Sequence, residues 1–230
     1  MTVRRDGQLV LDRVSLAVPG GTTVAVVGPS GAGKSTLAAV IGRLIDPDEG
    51  EVSLDGVPLD RLCRRDLRRT IGYAFSRPAL VGDTVANVIA LGAPASPVAV
   101  RAAARAARVD TVIERLPDGY ATPLADAPLS GGEAQRLGLA RALRAERLLV
   151  LDDATSSLDT VTEYQISQAL TRPGDRRTRV VVTHRVATAA RADLVAWLDG
   201  GRLLACAPHG TLWQEPRYRA LFDVSGEHGW

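Results

Sequence analysis

Apolar positions along this chain fall mostly into short unbroken runs, separated by glycine, proline and aspartate. Leu9–Leu11 and Val14–Val18 read as two short strands ahead of a turn at Pro19-Gly20-Gly21. Thr22–Val27 is a continuous β-branched run, the pattern of a strand buried on both faces. It runs into a glycine-rich turn, after which Thr36-Leu37-Ala38-Ala39-Val40-Ile41 reads as a helix. Gly50–Leu59 reads as a hairpin arm with Asp55-Gly56 at its turn. From about Arg77 to Arg144 alanine and arginine dominate, Pro94 and Pro97 break the pattern, and Val100–Val109 has helical composition. Leu148–Leu151 and Arg179–Val182 are further apolar runs suited to parallel strands. Strands alternating with helices predict a parallel α/β core, and the helical middle is then an insertion into it.

Composition narrows this picture. A chain of 230 residues is ample for a buried core, and 46% hydrophobic with 23% charged residues argues for a folded domain against disorder. The formal net charge of +2 gives no electrostatic reason to expect nucleic acid as a partner. No run approaches the ~20 apolar residues that span a bilayer. Met1–Asp6 lacks the apolar core of a secretion signal. Cys63 and Cys206 lie far apart in no metal-ligand spacing and read as free thiols of a reducing cytosol. The expectation is a soluble cytosolic domain. One compositional detail stands out: Lys34 is the only lysine among the 28 basic side chains.

That lysine lies in Gly28-Pro29-Ser30-Gly31-Ala32-Gly33-Lys34-Ser35, which fits G-x-x-x-x-G-K-[ST]. Backbone N–H groups curled around a phosphate need glycine's conformational freedom, and the following helix N-terminus favours an anion. Lys34 is then placed to reach the β- and γ-phosphates of a nucleotide, and the Ser35 hydroxyl to ligate Mg²⁺; Thr36 closes the binding loop. The strand before the loop and the helix after it argue against a chance match. The loop alone chooses no reaction, since small nucleotide kinases carry a very similar one. Leu148-Leu149-Val150-Leu151-Asp152 adds an apolar strand ending in a carboxylate, the Walker B pattern, with Asp152 holding Mg²⁺ through water.

Leu129-Ser130-Gly131-Gly132-Glu133-Ala134-Gln135-Arg136 resembles the signature motif of ATP-binding-cassette (ABC) ATPases. Physically, Ser130, Gly131 and Gly132 opening a helix over Glu133–Arg144 make a second anion site from a hydroxyl and bare amides. Ser156-Ser157-Leu158-Asp159 resembles the D-loop, and Val180-Val181-Val182-Thr183-His184-Arg185 the strand and switch histidine. Ile71-Gly72-Tyr73 opens the segment where the Q-loop should lie, and Pro208-His209-Gly210-Thr211-Leu212 resembles an exporter-type C-terminus. The resemblance covers essentially the whole chain. It implies a P-loop NTPase of α/β class: a RecA-like parallel sheet core, an N-terminal antiparallel β part and an inserted helical subdomain. The core is expected at about 1–76 and 145–230 and the helical subdomain at about 77–144, with no transmembrane domain in the chain. It also implies a nucleotide-binding domain that dimerises head to tail and sandwiches two ATPs, each between one protomer's phosphate loop and the other's signature. ATP binding closes such a dimer and hydrolysis reopens it, driving a transmembrane partner from the cytoplasmic face of the membrane.

Several positions depart from the family pattern. The residue after the Walker B aspartate is usually a glutamate that polarises the attacking water; here it is Asp153, one methylene shorter. The Q-loop glutamine position holds Ser76, and the aromatic that normally stacks on adenine is replaced by Arg5, whose guanidinium is either stacked or solvated. Thr122–Pro128 is shorter and less charged than the exporter segment before the signature. The catalytic positions Asp153 and Ser76 are altered while the signature is intact, as expected of the degenerate-site half of a heterodimeric exporter whose partner carries the catalytic glutamate. His184 is expected at the γ-phosphate. His209, His228 and the Arg61, Arg64, Arg65, Arg68, Arg69 cluster read as structural or solvated, as do Arg101, Arg105 and Arg108; Trp197, Trp213 and Trp230 form no motif. Two alternatives stay open: a regulatory module that holds ATP without hydrolysing it, and a soluble ABC ATPase outside transport. A P-loop kinase would leave the signature and D-loop without a role.

Overall fold

The computed structural model describes residues 1–91, 95–170 and 175–223, so Pro94, His228 and Trp230 lie outside the described residues. In chain order the first elements are β1 (Val3–Arg5), β2 (Gln8–Leu11), β3 (Thr23–Val27), α1 (Lys34–Ile41), β4 (Ser53–Leu54), β5 (Val57–Pro58), α2 (Arg64–Thr70) and β6 (Ile71–Phe75). There follow α3 (Val85–Ala90), α4 (Pro97–Ala106), α5 (Asp110–Ile113), α6 (Gly131–Ala142), β7 (Leu148–Asp152), α7 (Thr160–Leu170) and β8 (Thr178–Val182). The last are α8 (Val186–Arg191), β9 (Leu194–Asp199), β10 (Arg202–Ala207), α9 (His209–Leu212) and α10 (Pro216–Asp223). They form two compact units, Met1–Leu62 with Arg177–Trp230, and Cys63–Arg176.

In the first unit the strands stand in the order β10-β9-β3-β8. β3 is parallel to both neighbours, with Val24 opposite Val180 on one side and Leu194 on the other. Val24 to Val27 are buried on both faces, which is why the run shows no alternation. β10 folds back antiparallel on β9. β1 and β2 make the N-terminal antiparallel part, turning at Asp6-Gly7, while β4 and β5 turn at Asp55-Gly56 as predicted; all four turn residues have positive φ. Val14–Val18 is not a strand. Arg13 adopts φ 50, which breaks the direction of β2, and Val14 exchanges hydrogen bonds with Met1, at 2.9 and 2.8 Å. The C-terminal helices pack an aromatic group on this unit: Trp197 and Tyr218 are buried, and His209 Nδ1 lies 2.9 Å from the Tyr218 hydroxyl, a structural role.

In the second unit β6 runs parallel to β7, from Ile71 opposite Leu148 to Phe75 opposite Asp152. Helices α3 to α6 fill the segment between these strands. Pro97 does not break a helix; it is the first residue of α4, where its missing N–H costs nothing, and Ser96 Oγ caps it by accepting from Ala99 N at 3.2 Å. Arg101 and Arg105 are not simply solvated. Arg105 Nε donates to Asp110 Oδ2 at 2.8 Å, the Tyr120 hydroxyl to Asp110 Oδ1 at 2.6 Å, and Arg101 lies 5.4 Å over the Tyr120 ring. The α2 arginines are exposed, as expected. Helices follow strands in both units, α1 after β3 and α7 after β7, so the class is α/β with mostly parallel strands.

Candidate functional site

The strand β3 delivers the chain to residues 28–33, and α1 opens at Lys34, two residues earlier than the sequence pattern suggests. Gly33 caps α1 with φ 92; a Cβ there would sit 2.7 Å from Leu11 Cδ2 and 2.9 Å from the Val10 carbonyl, so only glycine closes this turn. The first-turn N–H groups of any helix lack intrahelical acceptors, and no acidic side chain occupies this first turn. Lys34 Nζ donates to the carbonyls of Gly28 at 2.9 Å and Pro29 at 2.8 Å. The ammonium is thereby folded back over the loop it belongs to, which concentrates donors and positive charge at the mouth of a tight backbone cradle. That arrangement fits the phosphates of a nucleotide. Ser30 is exposed and Ala32 buried beneath the loop. Arg5 is exposed at the end of β1, and His184 is exposed just after β8.

In the second unit Asp152 ends β7, and its Oδ2 accepts from the Tyr73 hydroxyl at 3.2 Å. Burial, and next the adjacent Asp152 charge, push the Tyr73 phenol well above its ordinary value, so it stays a neutral donor. Asp153 follows at φ 48, a left-handed backbone that aspartate tolerates better than most residues. Gln135, on α6, is 1% exposed; its Nε2 donates to the carbonyls of Ser76 at 3.0 Å and Asp153 at 3.3 Å. Three residues named from the sequence, Ser76, Asp152 and Asp153, thus share one neighbourhood. Tyr73 and Gln135 were not singled out by it. Both act across long sequence separations, for which no spacing rule exists.

Ser130 is the N-cap of α6 and closes a capping box with Glu133: Ser130 N donates to Glu133 Oε2 at 2.8 Å and Ser130 Oγ accepts from Glu133 N at 3.4 Å. The hydrogen bond from the Ser130 backbone holds the Glu133 carboxyl below its usual range. Ser130 and Gly131 are exposed and Gly132 is half-buried, so the helix start is presented at the surface of its unit. Asp159 is exposed and caps α7 through Thr162 N at 2.9 Å, hydrogen bonds that lower its pKa. Among the described residues no group of three or more His, Cys, Asp and Glu is arranged to hold a metal. A single hydroxyl such as that of Ser35 suits Mg²⁺ arriving with a nucleotide's phosphates, as that ion keeps most of its shell from water and phosphate.

Comparison with known proteins decides the assignment, since the model of the family described as ABC transporter matches residues 11–156. The chain belongs to the ABC transporter family. It is 58% identical over 224 residues to the ABC transporter ATP-binding protein RamA of Streptomyces coelicolor, covering 96% of this chain and 35% of that protein. It is 44% identical over 219 residues to the mycobactin import ATP-binding/permease protein IrtA of Mycolicibacterium smegmatis, covering 94% of this chain and 26% of that one. The ATP-dependent lipid A-core flippase of Chromohalobacter salexigens is 43% identical, over 94% of this chain and 38% of the flippase. A solved bacterial Atm1-family ABC exporter with ATP bound superposes with a TM-score of 0.88 at 35% identity, over 99% of this chain and 41% of that chain. The cassette therefore spans 26–38% of the length of these curated relatives. Its fold is that of an exporter-type ABC cassette. No helix among the described residues is long and apolar enough to cross a membrane.

Proposed function

We propose that this cassette binds MgATP in the loop Gly28–Thr36, pairs head to tail with a second cassette, and powers or gates export through a transmembrane partner domain at the cytoplasmic face of the membrane. The Lys34 ammonium, held on the carbonyls of Gly28 and Pro29 at the opening of α1, is the observation that carries the reading. The core then comprises about 1–76 and 145–230, with 77–144 as the helical subdomain that presents the signature. Ser35 and Asp152 are the residues that would hold Mg²⁺, which would neutralise charge on the phosphates when bound. Lys34 and the loop amides orient the phosphate chain, and His184 contacts the γ-phosphate. Asp153 accepts the proton of the attacking water as its oxygen bonds to the γ-phosphorus and the bond to the bridging oxygen breaks toward ADP. Ser130, Gly131 and Gly132, with Asp159 nearby in sequence to the Walker B strand, serve the nucleotide of the opposite cassette.

Hydrolysis at this cassette's own site is slow in this account. Asp153 falls one methylene short of the usual glutamate, and a misplacement of about 1 Å costs on the order of 10²-fold in rate. Ser76 cannot span the distance an amide would. The partner cassette accordingly carries the glutamate. Phosphate release by the chain alone, and mixed with such a partner, tests this: slow turnover alone and fast turnover in the mixture are expected. Vigorous hydrolysis by the chain alone, abolished by Asp153→Ala, overturns it. A binding-only regulatory role is the second reading, favoured by the same Asp153 and Ser76; bound ATP with no phosphate release even in the mixture selects it.

A further inference from the structure

We infer that Gln135 is a positioning residue for ATP hydrolysis: its buried amide ties the signature helix to the backbones of Ser76 and Asp153 and so sets where both present their side chains. The inference rests on the reading of Asp153 as the residue that polarises the attacking water. Both partners of Gln135 Nε2 are carbonyls, so the amide's donors must face them, at 3.0 and 3.3 Å. Its Oε1 is then buried with no hydrogen-bond partner among the described residues. A buried acceptor left unmatched is costly, and an apolar side chain of similar volume would avoid the cost. The two carbonyls that its amide pairs offset that cost, and both belong to positions proposed as catalytic.

The same face of α6 grips the same strand and loop along its length. Gln135, Gly138 and Ala142 recur at helical spacing. A Cβ at Gly138 would lie 2.5 Å from Pro78 Cβ, and Arg141 donates to the Ala79 carbonyl at 3.0 Å. Burial lowers the Arg141 pKa, in keeping with a guanidinium laid along this seam. At the signature end of the seam, Gln135 reaches past the Ser76 segment to Asp153. There it supports a carbonyl that also accepts from Ser156 N at 3.1 Å, in a residue whose φ of 48 needs outside support. Without the amide, the Asp153 carbonyl keeps the Ser156 N–H but loses its tie to the signature helix.

The test uses the full chain and two variants, Gln135→Leu and Gln135→Met, each alone and combined with Asp153→Ala. Titration with a fluorescent ATP analogue gives affinity, a thermal melt reports the fold, and phosphate release with the chain in excess over MgATP gives the single-turnover rate. The expected result is affinity within about twofold of wild type and single-turnover hydrolysis slowed roughly 10- to 100-fold. No further slowing is expected in the Asp153→Ala background, because the two residues act as one unit. An unchanged rate, a rate loss matched by affinity loss, equal slowing in the Asp153→Ala background, or failure of both variants to fold each overturns the inference. A wild-type chain that does not bind MgATP removes the proposed function itself. One that binds but never releases phosphate selects the binding-only role and overturns the positioning role with it.

Discussion

At the scale of the residue, the proposed function gives binding to one lysine and catalysis to one aspartate. Arginine serves wherever this chain needs a cation, with the single exception of Lys34. A compact ammonium can be enclosed by the carbonyls of Gly28 and Pro29 and still meet phosphate oxygens, while a planar guanidinium fork presents its donors in a fixed plane. Lys34→Arg is accordingly expected to weaken MgATP binding by about tenfold or more, read by titration with a fluorescent analogue. Unchanged affinity would count against the loop as the nucleotide site. Asp153 bears on rate rather than affinity. Asp153→Glu restores the missing methylene and should raise single-turnover hydrolysis roughly 10- to 100-fold. It also places a longer side chain at φ 48, so a slightly lower melting temperature is expected alongside the faster rate. A variant that hydrolyses no faster shows that reach is not what limits this site.

At the scale of the element, what could be read in advance followed from local signals. A β-branched run, a glycine loop and an apolar helix face fixed β3, the loop and α1 to within two residues; an apolar run placed β7, and Ser130 placed the start of α6. The hairpin of β9 and β10 went unread although both runs are apolar, Leu194–Leu198 and Leu203–Ala207; β10 alternates in burial as an outer strand. Val14–Val18 misled instead: it is apolar enough for a strand, but its neighbour Arg13 turns the chain away. Long-range side-chain bonds such as Tyr73 to Asp152 leave no trace in composition or period. The network of Arg105, Asp110 and Tyr120 spans only short separations, and it carries a stability prediction. Burial pushes the Asp110 carboxyl up, but hydrogen bonds from Tyr120 and Arg105 outweigh it and hold the pKa below the ordinary value. A group with a depressed folded pKa stabilises the fold above the unfolded value near 3.9, and that contribution is lost as pH falls through the folded pKa. Asp110→Ala should therefore cost about 1–3 kcal/mol at neutral pH, by leaving the Tyr120 hydroxyl and Arg105 without their acceptor. Below about pH 4 the gap between wild type and variant should narrow in thermal melts. A constant gap across that range would show that packing, not charge, holds α4 and α5 together.

At the scale of the whole molecule, the proposed function rests on a contrast between the positions assigned to this cassette's own hydrolysis and the signature assigned to a partner's site. Asp153 and Ser76 depart from the family pattern, whereas Ser130, Gly131 and Gly132 keep an exposed, well-capped helix start. On that reading a homodimer would place two slow sites together and gain nothing from the intact signature. A heterodimer would use it fully, because the partner's phosphate loop and glutamate would be completed by Ser130–Gly132. The two functions can then be separated within one chain. Ser130→Arg puts a long side chain where an approaching γ-phosphate needs the hydroxyl and bare amides, and it lies outside this chain's own loop. In a mixture with a glutamate-bearing cassette, Ser130→Arg should lower steady-state phosphate release at least about 100-fold. Affinity of this chain alone for a fluorescent ATP analogue should stay unchanged. Lys34→Arg should show the reverse order of effects, weak binding by this chain but a partner site that still hydrolyses whenever the pair assembles. If Ser130→Arg leaves the mixture fully active, the signature of this cassette serves no competent site, and the binding-only role of the chain becomes the better account.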